Sequence, residues 1–399
     1  MTLARADWLE ARAAANEAGL SHPRGLELVP LGDAVGHTLA DDVRSPGRVP
    51  GFDASAMDGW AVSGDGPWTL GEPIVAGRAV DATPLAPGTA RPVTTGAAVP
   101  RGTARVLRSE SGRIERGMLV STDEAASGPS HPGSRPAPRH IRRAGEEAEP
   151  GDLLFEAGTL LTPPRVAVAA VCGLDALPVV RPPRAALAVL GDEIVGEGLP
   201  QPGFVRDVFS VQVPSILRSL GADPVSSDRV GDRLDATVAA LDRPDVGLVV
   251  TTGGTAHSSA DHVREALARL GAELVVDRVA MRPGQPLLLA RRGETLYLCL
   301  PGNPMAALVG LVVVGVPLIE GLLGRRHRLP GRVVLATGVE HPRPGVLVQA
   351  FRATDEGAVA MPRQSSAMLR GLADASGLLV VPDGGARAGD VVPAIDLPW

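Results

Sequence analysis

The residues with the strongest chemical content sit in two glycine-bearing turns. Thr251-Thr252-Gly253-Gly254 follows an apolar run, 247–250, that reads as a strand, and Pro301-Gly302-Asn303-Pro304 follows another, 296–300. Glycine after a parallel strand lets backbone amides approach an anion, and a helix starting just beyond adds a favourable dipole. The plainer reading of either turn alone is tight-turn geometry, with Asn303 as a helix cap. Two such turns in one unit weigh equally for an anion site. A third segment, Met281-Arg282-Pro283-Gly284-Gln285-Pro286, is a stiff loop before a strand, from which Arg282 could fork onto an oxyanion. A single arginine is more often a solvated surface group.

Carboxylates recur at element ends: Asp58, Glu146, Glu147, Asp192, Glu193, Asp232 and Asp261. Beside an anion site they make sense if they hold a hard cation such as Mg²⁺ that bridges to phosphate. Taken singly each reads as structural, and Asp232 and Asp261 both suit helix N-caps. His257 and His262 flank Asp261, but no third histidine or cysteine is near, so zinc is not supported.

Composition narrows the chemistry further. Among the 399 residues, all 39 basic side chains are arginine and none is lysine. A P-loop lysine, a Schiff-base lysine and a lysine general base are therefore excluded. Aromatics at 3% and a net charge of −6 argue against nucleic-acid binding. No Gly-x-Ser-x-Gly elbow and no Gly-x-Gly-x-x-Gly after a strand occur, so hydrolase and dinucleotide readings lack support. Cys172 and Cys299 both lie in apolar runs and read as core thiols of a reducing compartment. Without an apolar signal core in residues 1–10, the expected location is the cytoplasm. The longest apolar run, 305–319, contains Pro317 and reads as a buried helix, not a membrane span.

The elements that must position these residues change character along the chain. Residues 7–19 and 31–43 read as helices, and 68–115 as short strands broken by Gly and Pro. A Ser/Pro/Gly-rich stretch over 121–138 reads as a loop, and a Pro-initiated helix is expected over 163–171. From residue 184 apolar runs alternate with helical patterns: strands near 185–190, 247–250, 287–290 and 296–300, helices near 211–220, 234–241, 261–270 and 303–323. That order predicts a three-layer α/β unit with a mostly parallel sheet. Beyond a linker at 325–331, short strands predict a small β unit. The expected organisation is residues 1–45 with 140–182 as a helical and extended first domain, and 46–139 as a mostly β second. Residues 183–326 form the α/β third, and 327–399 the β fourth.

In order, these motifs resemble one family, the molybdopterin molybdotransferases called MoeA, related to the E domain of gephyrin. Ser55-Ala56-Met57-Asp58-Gly59-Trp60-Ala61 resembles its Ser-x-Met-Asp-Gly-Tyr/Trp-Ala signature, and Thr95-Gly96-Ala97 its Thr-Gly-Ala segment. Arg142-Arg143-Ala144-Gly145-Glu146-Glu147 resembles Arg-Arg-x-Gly-Glu-Asp, and Gly191-Asp192-Glu193-Ile194 resembles Gly-Asp-Glu-Leu. Pro301-Gly302-Asn303-Pro304 is the family tetrapeptide intact, and Gln364-Ser365-Ser366 is similar to the C-terminal Gln-Gly-Ser. The resemblance implies an elongated homodimer that inserts molybdate into adenylylated molybdopterin, with Mg²⁺, releasing AMP. It implies that Asp58, Thr95, Glu147 and Glu193 serve catalysis and that Glu193, Asp232 and Asp261 hold the metal. Gly253, Gly254, Asp232, Arg282, Pro283, Gly284, Gln285, Pro301, Gly302, Asn303, Pro304, Arg352 and Ser366 would bind substrate. Asp58 would reach the cleft from the second subunit. A molybdopterin adenylyltransferase and apo-molybdoenzymes are the implied partners.

Three segments depart from the family pattern. Lys-Pro-Gly-Lys-Pro is Arg282-Pro283-Gly284-Gln285-Pro286, Gly-Gly-Val-Ser-Val-Gly-Asp is Gly253-Gly254-Thr255-Ala256-His257-Ser258-Ser259, and Asp-Ser-Asn is Asp207-Val208-Phe209. One cation survives as Arg282 and one is lost at Gln285, so weakened molybdate binding or turnover is expected. The alternative is a non-catalytic molybdopterin carrier on the same fold.

Overall fold

The strand over Arg184–Leu190 is buried at every position but its first, which is what an apolar run covered on both faces requires. It lies in a seven-stranded sheet ordered Leu3–Ala6, Glu273–Val279, Leu288–Arg292, Thr295–Leu300, Leu248–Thr252, Arg184–Leu190, Asp223–Val230. In this computed structural model, residues 2–78, 83–122, 140–255 and 262–399 are described. Pairing is parallel except where Leu288–Arg292 runs antiparallel to both its neighbours.

Six helices are described: α1 (Trp8–Leu20), α2 (Pro163–Val171), α3 (Phe209–Ser219), α4 (Leu234–Leu241), α5 (Val263–Arg269) and α6 (Pro304–Leu322). Side chains of α1, α3 and α6 pack with Leu187, Val189, Val250 and Leu298 on one face of the sheet. Leu241 of α4 and Val263, Ala266 and Leu267 of α5 pack with Ala186, Ala188, Val249 and Tyr297 on the other. The result is the expected three-layer α/β unit. Helix α6 is 19 residues long and apolar enough to cross a membrane, yet 89% of its most apolar 18-residue stretch is buried inside the protein, which is core packing.

Helix α6 is interrupted, and α1 repairs it. Pro317 has no amide hydrogen to donate one turn back, and a π turn occupies Leu311–Gly315. The buried Arg12 of α1 donates from Nη1 to the carbonyls of Val312 (3.3 Å) and Val313 (3.1 Å). Asn16, one turn later, donates to the carbonyls of Pro317 (3.0 Å) and Arg325 (2.9 Å). The two helices approach through glycine: a Cβ on Gly19 would stand 2.3 Å from the Leu318 carbonyl oxygen, and one on Gly321 2.2 Å from that of Asn16. Asp7 and Glu10 form a reciprocal capping box that starts α1. Leu3–Ala6 and α1, expected with residues 1–45 in a first domain, thus lie in and against the α/β sheet.

The helix expected over 31–43 does not form. Only Leu31–Asp33 makes a 3₁₀ turn; Gly36 then adopts φ +90°, and the chain runs extended into the strand Val43–Arg44. Leu39 and Val43 still meet one core, with Leu161, Leu177 and Val179, through extended backbone. Their four-residue spacing imitated a helix face. Apart from α2, whose Ala169 joins the same core, the regular structure of this region is β: Leu26–Pro30 pairs with Ala176–Val180, Val43–Arg44 with Leu153–Phe155 and Ala54–Ser55 with Ile141–Arg142. A six-stranded sheet spans Gly59–Val62 to Met118–Ser121. The C-terminal sheet is ordered Met281–Arg282, Val346–Thr354, Gly377–Val381, Val391–Ile395, Gly331–Val334, with Gly357–Ala360 beside Val346–Thr354. Its first member is a loop of the α/β unit, which ties the two units together at Arg282.

Candidate functional site

Parallel pairing in register puts Thr252 beside Leu300, so the two glycine-bearing turns leave the sheet side by side. The Gly253 amide donates to the Leu300 carbonyl (3.0 Å). Gly253 and Gly254 hold φ +90° and +65°. A Cβ on Gly253 would sit 2.6 Å from the Leu190 carbonyl oxygen, so no side chain fits there. Together with the ends of the strands Arg184–Leu190 and Asp223–Val230, the turns enclose a cleft of about 610 Å³. This is the carboxyl edge of the parallel strands, where open α/β sheets bind ligands.

Of the sequence-derived candidates, Glu193, Asp232, Gly253, Gly254 and Pro301–Pro304 line this cleft. Asn303 begins α6 but its side chain makes no cap bond; its Nδ2 reaches Ser366 Oγ at 3.4 Å, and the Ala306 amide donates to the Ser366 carbonyl (3.2 Å). The expectation of Asn303 as a capping side chain is therefore corrected, and Ser366 is brought to the cleft mouth. Asp232 does not cap α4 either, since that position is Arg233. Instead the Asp192 amide donates to Asp232 (3.4 Å) and the Asp232 amide to Asp192 (3.3 Å), a reciprocal pair beside Glu193. Asp261 lies outside the described residues, as do 256–260 of the altered loop.

Arg282 is half-buried, fixed by pairing of Met281–Arg282 with Val346 and Leu347, and its Nε has no hydrogen-bond acceptor. Pro283 follows it in the turn. Gly284 takes φ +105°, where a Cβ would press on the Met281 methyl at 2.8 Å. The Gln285 carbonyl accepts from the Val279 amide (3.1 Å), and Pro286 reaches the cleft wall. Arg352 lies exposed on Val346–Thr354, opposite Val359, outside the cleft lining.

Asp58 and Thr95 form a separate pair. Asp58 Oδ1 accepts from the Thr95 amide (2.7 Å) and hydroxyl (3.0 Å). The amide bond first, and the hydroxyl bond with it, hold the Asp58 carboxyl below the usual carboxylate range. Glu147 is exposed on the neighbouring segment, its amide bonded to the Val49 carbonyl (2.9 Å). Among the described residues, none before Leu190 lines the cleft.

Sequence reasoning missed several cleft residues as site members. Arg206 brings a guanidinium to the wall, and buried Asp207 accepts from the Phe209 and Ser210 amides (both 3.0 Å) to start α3. An aspartate two residues before a helix was the available signal for Asp207; nothing in the local pattern marks Arg206 or Ala367.

Three family models tile this chain: the MoeA N-terminal region (domain I and II) over residues 7–173, a probable molybdopterin binding domain over 186–321, and the MoeA C-terminal region (domain IV) over 324–397. Molybdopterin molybdenumtransferase 2 of Mycobacterium tuberculosis is 33% identical over 382 residues, covering 89% of this chain and 90% of that protein. The chain belongs to the MoeA family. The molybdopterin molybdenumtransferase of Bacillus subtilis is 30% identical over 377 residues, covering 90% of this chain and 86% of its own. A MoeA crystal structure from Pyrococcus horikoshii matches with a TM-score of 0.81 at 20% identity over 98% of this chain and all of that one, a likeness of fold. Within the family frame, the cleft falls inside the segment matched by the probable molybdopterin binding domain, apart from Ala367.

Proposed function

We propose that the cleft holds adenylylated molybdopterin and that the protein transfers molybdenum from molybdate into its dithiolene, releasing AMP. A role in molybdenum cofactor biosynthesis follows from membership of the family, and the transferase names of the relatives support the enzyme class. The observation that carries the reading is the meeting of both glycine-bearing turns and the α6 N-terminus in one cleft.

The chemistry follows from the substrates, which are anions. Amides around Gly253 and Gly302 and the start of α6 offer fixed donors that need no reorganisation when charge develops. Arg206 adds guanidinium charge on the wall, and Arg282 stands on the loop of which only Pro286 lines the cleft. Asn303 and Ser366 orient one another, with hydroxyl and amide groups at the place where molybdate would enter. Loss of a cation at Gln285 weakens the grip on molybdate; removal of one charged partner from a buried anion site costs on the order of 2–5 kcal/mol.

Among the described residues no three His, Cys, Asp or Glu side chains gather as a metal cage. The Asp192–Asp232 pair, with Glu193, suits Mg²⁺ held by one or two carboxylates plus substrate phosphates and water. When bound there it would neutralise phosphate charge. Asp58, Thr95 and Glu147 would complete the site from the second subunit of a homodimer, because one protomer leaves them apart from the cleft. A molybdopterin adenylyltransferase would supply the substrate and apo-molybdoenzymes would receive the product, in the cytoplasm.

Purified protein given adenylylated molybdopterin, Mg²⁺ and molybdate is expected to release AMP. Tight binding of the pterin with no AMP release would support the carrier alternative and overturn the transferase assignment.

A further inference from the structure

Far from the cleft, a second crevice of about 490 Å³ opens where α1, the end of α6, the linker after it and the C-terminal strand meet. Five arginines line it, Arg12, Arg165, Arg325, Arg326 and Arg328, against only two carboxylates, Glu320 and Asp396. None of the five has a carboxylate within ion-pair distance among the described residues. Arg12 and Arg325 form the base. Both Nη groups of Arg12 are committed to backbone carbonyls (Val312, Val313 and Arg328), Nη2 of Arg325 is committed to that of Leu220, and each Nε lacks an acceptor. Burial pulls both guanidinium groups below their usual range and pushes Glu320 up, against the opposing attraction of Glu320 for Arg325, Arg12 and Arg328, so one carboxylate is shared among three arginines. Arg326 and Arg328 stand exposed at the rim with free donors, while Arg165 spends one on the Leu160 carbonyl (2.6 Å).

We propose that this crevice is a binding site for a small phosphate-bearing anion, distinct from the pterin cleft. Surplus positive charge against low-dielectric walls focuses the field into the crevice. The rim arginines can grip phosphate oxygens bidentately. Its volume fits a small molecule, and the scarcity of aromatic side chains and the net charge of −6 argue against a nucleic-acid strand.

The experiment is hydrogen exchange read by mass spectrometry on the full chain, with inorganic pyrophosphate as probe at constant ionic strength. Peptide-level exchange separates the crevice from the cleft, where pyrophosphate is also expected to bind. Saturable protection of 325–331 is expected in the unsubstituted protein. In the Arg326→Gln/Arg328→Gln variant the midpoint should shift about tenfold or more, as loss of a charge-assisted contact implies. Protection around 253–254 and 301–304 should stay the same, and so should AMP release. Both substitutions replace exposed side chains, so folding is preserved and is checked by melting. Pyrophosphate that leaves exchange at 325–331 unchanged would overturn the site. So would protection of equal midpoint in the variant.

Discussion

Gly253→Ala and Gly302→Ala separate what the fold needs from what the ligand needs. At Gly253 the backbone stands at φ +90° and an added methyl would lie 2.6 Å from the Leu190 carbonyl oxygen, in the neighbouring parallel strand. Left-handed backbone costs a non-glycine residue about 1–2 kcal/mol. Forcing a methyl against fixed backbone adds about 1–3 kcal/mol. The expected loss is about 3 kcal/mol, a fall in melting temperature on the order of 10 °C for a unit of this size. Gly302 is exposed, and its added methyl would sit 3.4 Å from Gly253 Cα, an ordinary contact. Its stability should change by less than about 0.5 kcal/mol. The methyl would instead stand between the Gly302 backbone and an approaching phosphate, and pterin affinity should fall about tenfold, the equivalent of one good contact. Circular dichroism melts and equilibrium binding of molybdopterin measure both. If Gly253→Ala melts with the unsubstituted protein, the steric account of the turn is wrong. If Gly302→Ala binds pterin normally, the backbone cradle is not where substrate sits.

Three further outcomes follow from the geometry. Arg12→Met should destabilise by about 2–4 kcal/mol through the orphaned Val312 and Val313 carbonyls; in a Pro317→Ala background, where residue 317 regains its amide hydrogen, the cost should shrink by more than about 1 kcal/mol, and an equal cost in both backgrounds would refute the repair of α6 by α1. Thr95→Val removes the hydroxyl bond and should raise the Asp58 carboxyl toward the ordinary aspartate range, about 4; because a depressed carboxylate contributes stability above the unfolded value and loses it as pH falls through the folded one, the variant should lose less stability on acidification, and a carboxyl NMR titration showing no upward move would contradict the assignment. The Cys299 thiol, fully buried and pushed up to about 12 by that burial, should resist Ellman's reagent at pH 8 until the protein unfolds; rapid labelling of native Cys299 would contradict the packing of the sheet face against α5.

Much of the fold was legible because buried strands and long helices carry strong local signals. The helix over Pro163–Val171 and that over Leu234–Leu241 begin and end where the sequence pattern places them. Residues 31–43 misled because apolar side chains four apart can converge on one core by extended backbone once a glycine turns the chain, as Gly36 does. Pairing of Leu3–Ala6 with Glu273–Val279 spans most of the chain and leaves no mark in either segment alone. The final strand, Val391–Ile395, went unread because Pro393 interrupts its apolar run. In the cleft, the glycine-bearing turns were legible for a physical reason: a backbone donor site demands absent side chains, and glycine is visible in sequence. Which side chains gather around the turns depends on tertiary contacts, so Arg206 and Ala367 were not.

The absence of lysine makes the cleft's dependence on backbone more than incidental. Amide donors and a helix N-terminus are fixed by the fold and cannot be exchanged by a change of side chain, whereas Arg282 is the one cation carried by the Met281–Pro286 loop. Its place is set by two parallel pairings with Val346 and Leu347 of the C-terminal sheet, not by the α/β unit that supplies the loop. Gly284, pressed between the Met281 side chain and the Ala306 carbonyl, fixes the other end of the loop against α6. Any shift of the C-terminal sheet against the α/β unit must therefore re-aim Arg282 while leaving the Gly253 and Gly302 amides where they are. On the proposed function, pterin binding by the amides and oxyanion binding by the guanidinium should then be separable. Disrupting the Arg282–Leu347 pairing should weaken molybdate use with pterin affinity intact, and a parallel loss of both would mean that a single rigid cradle holds the two anions.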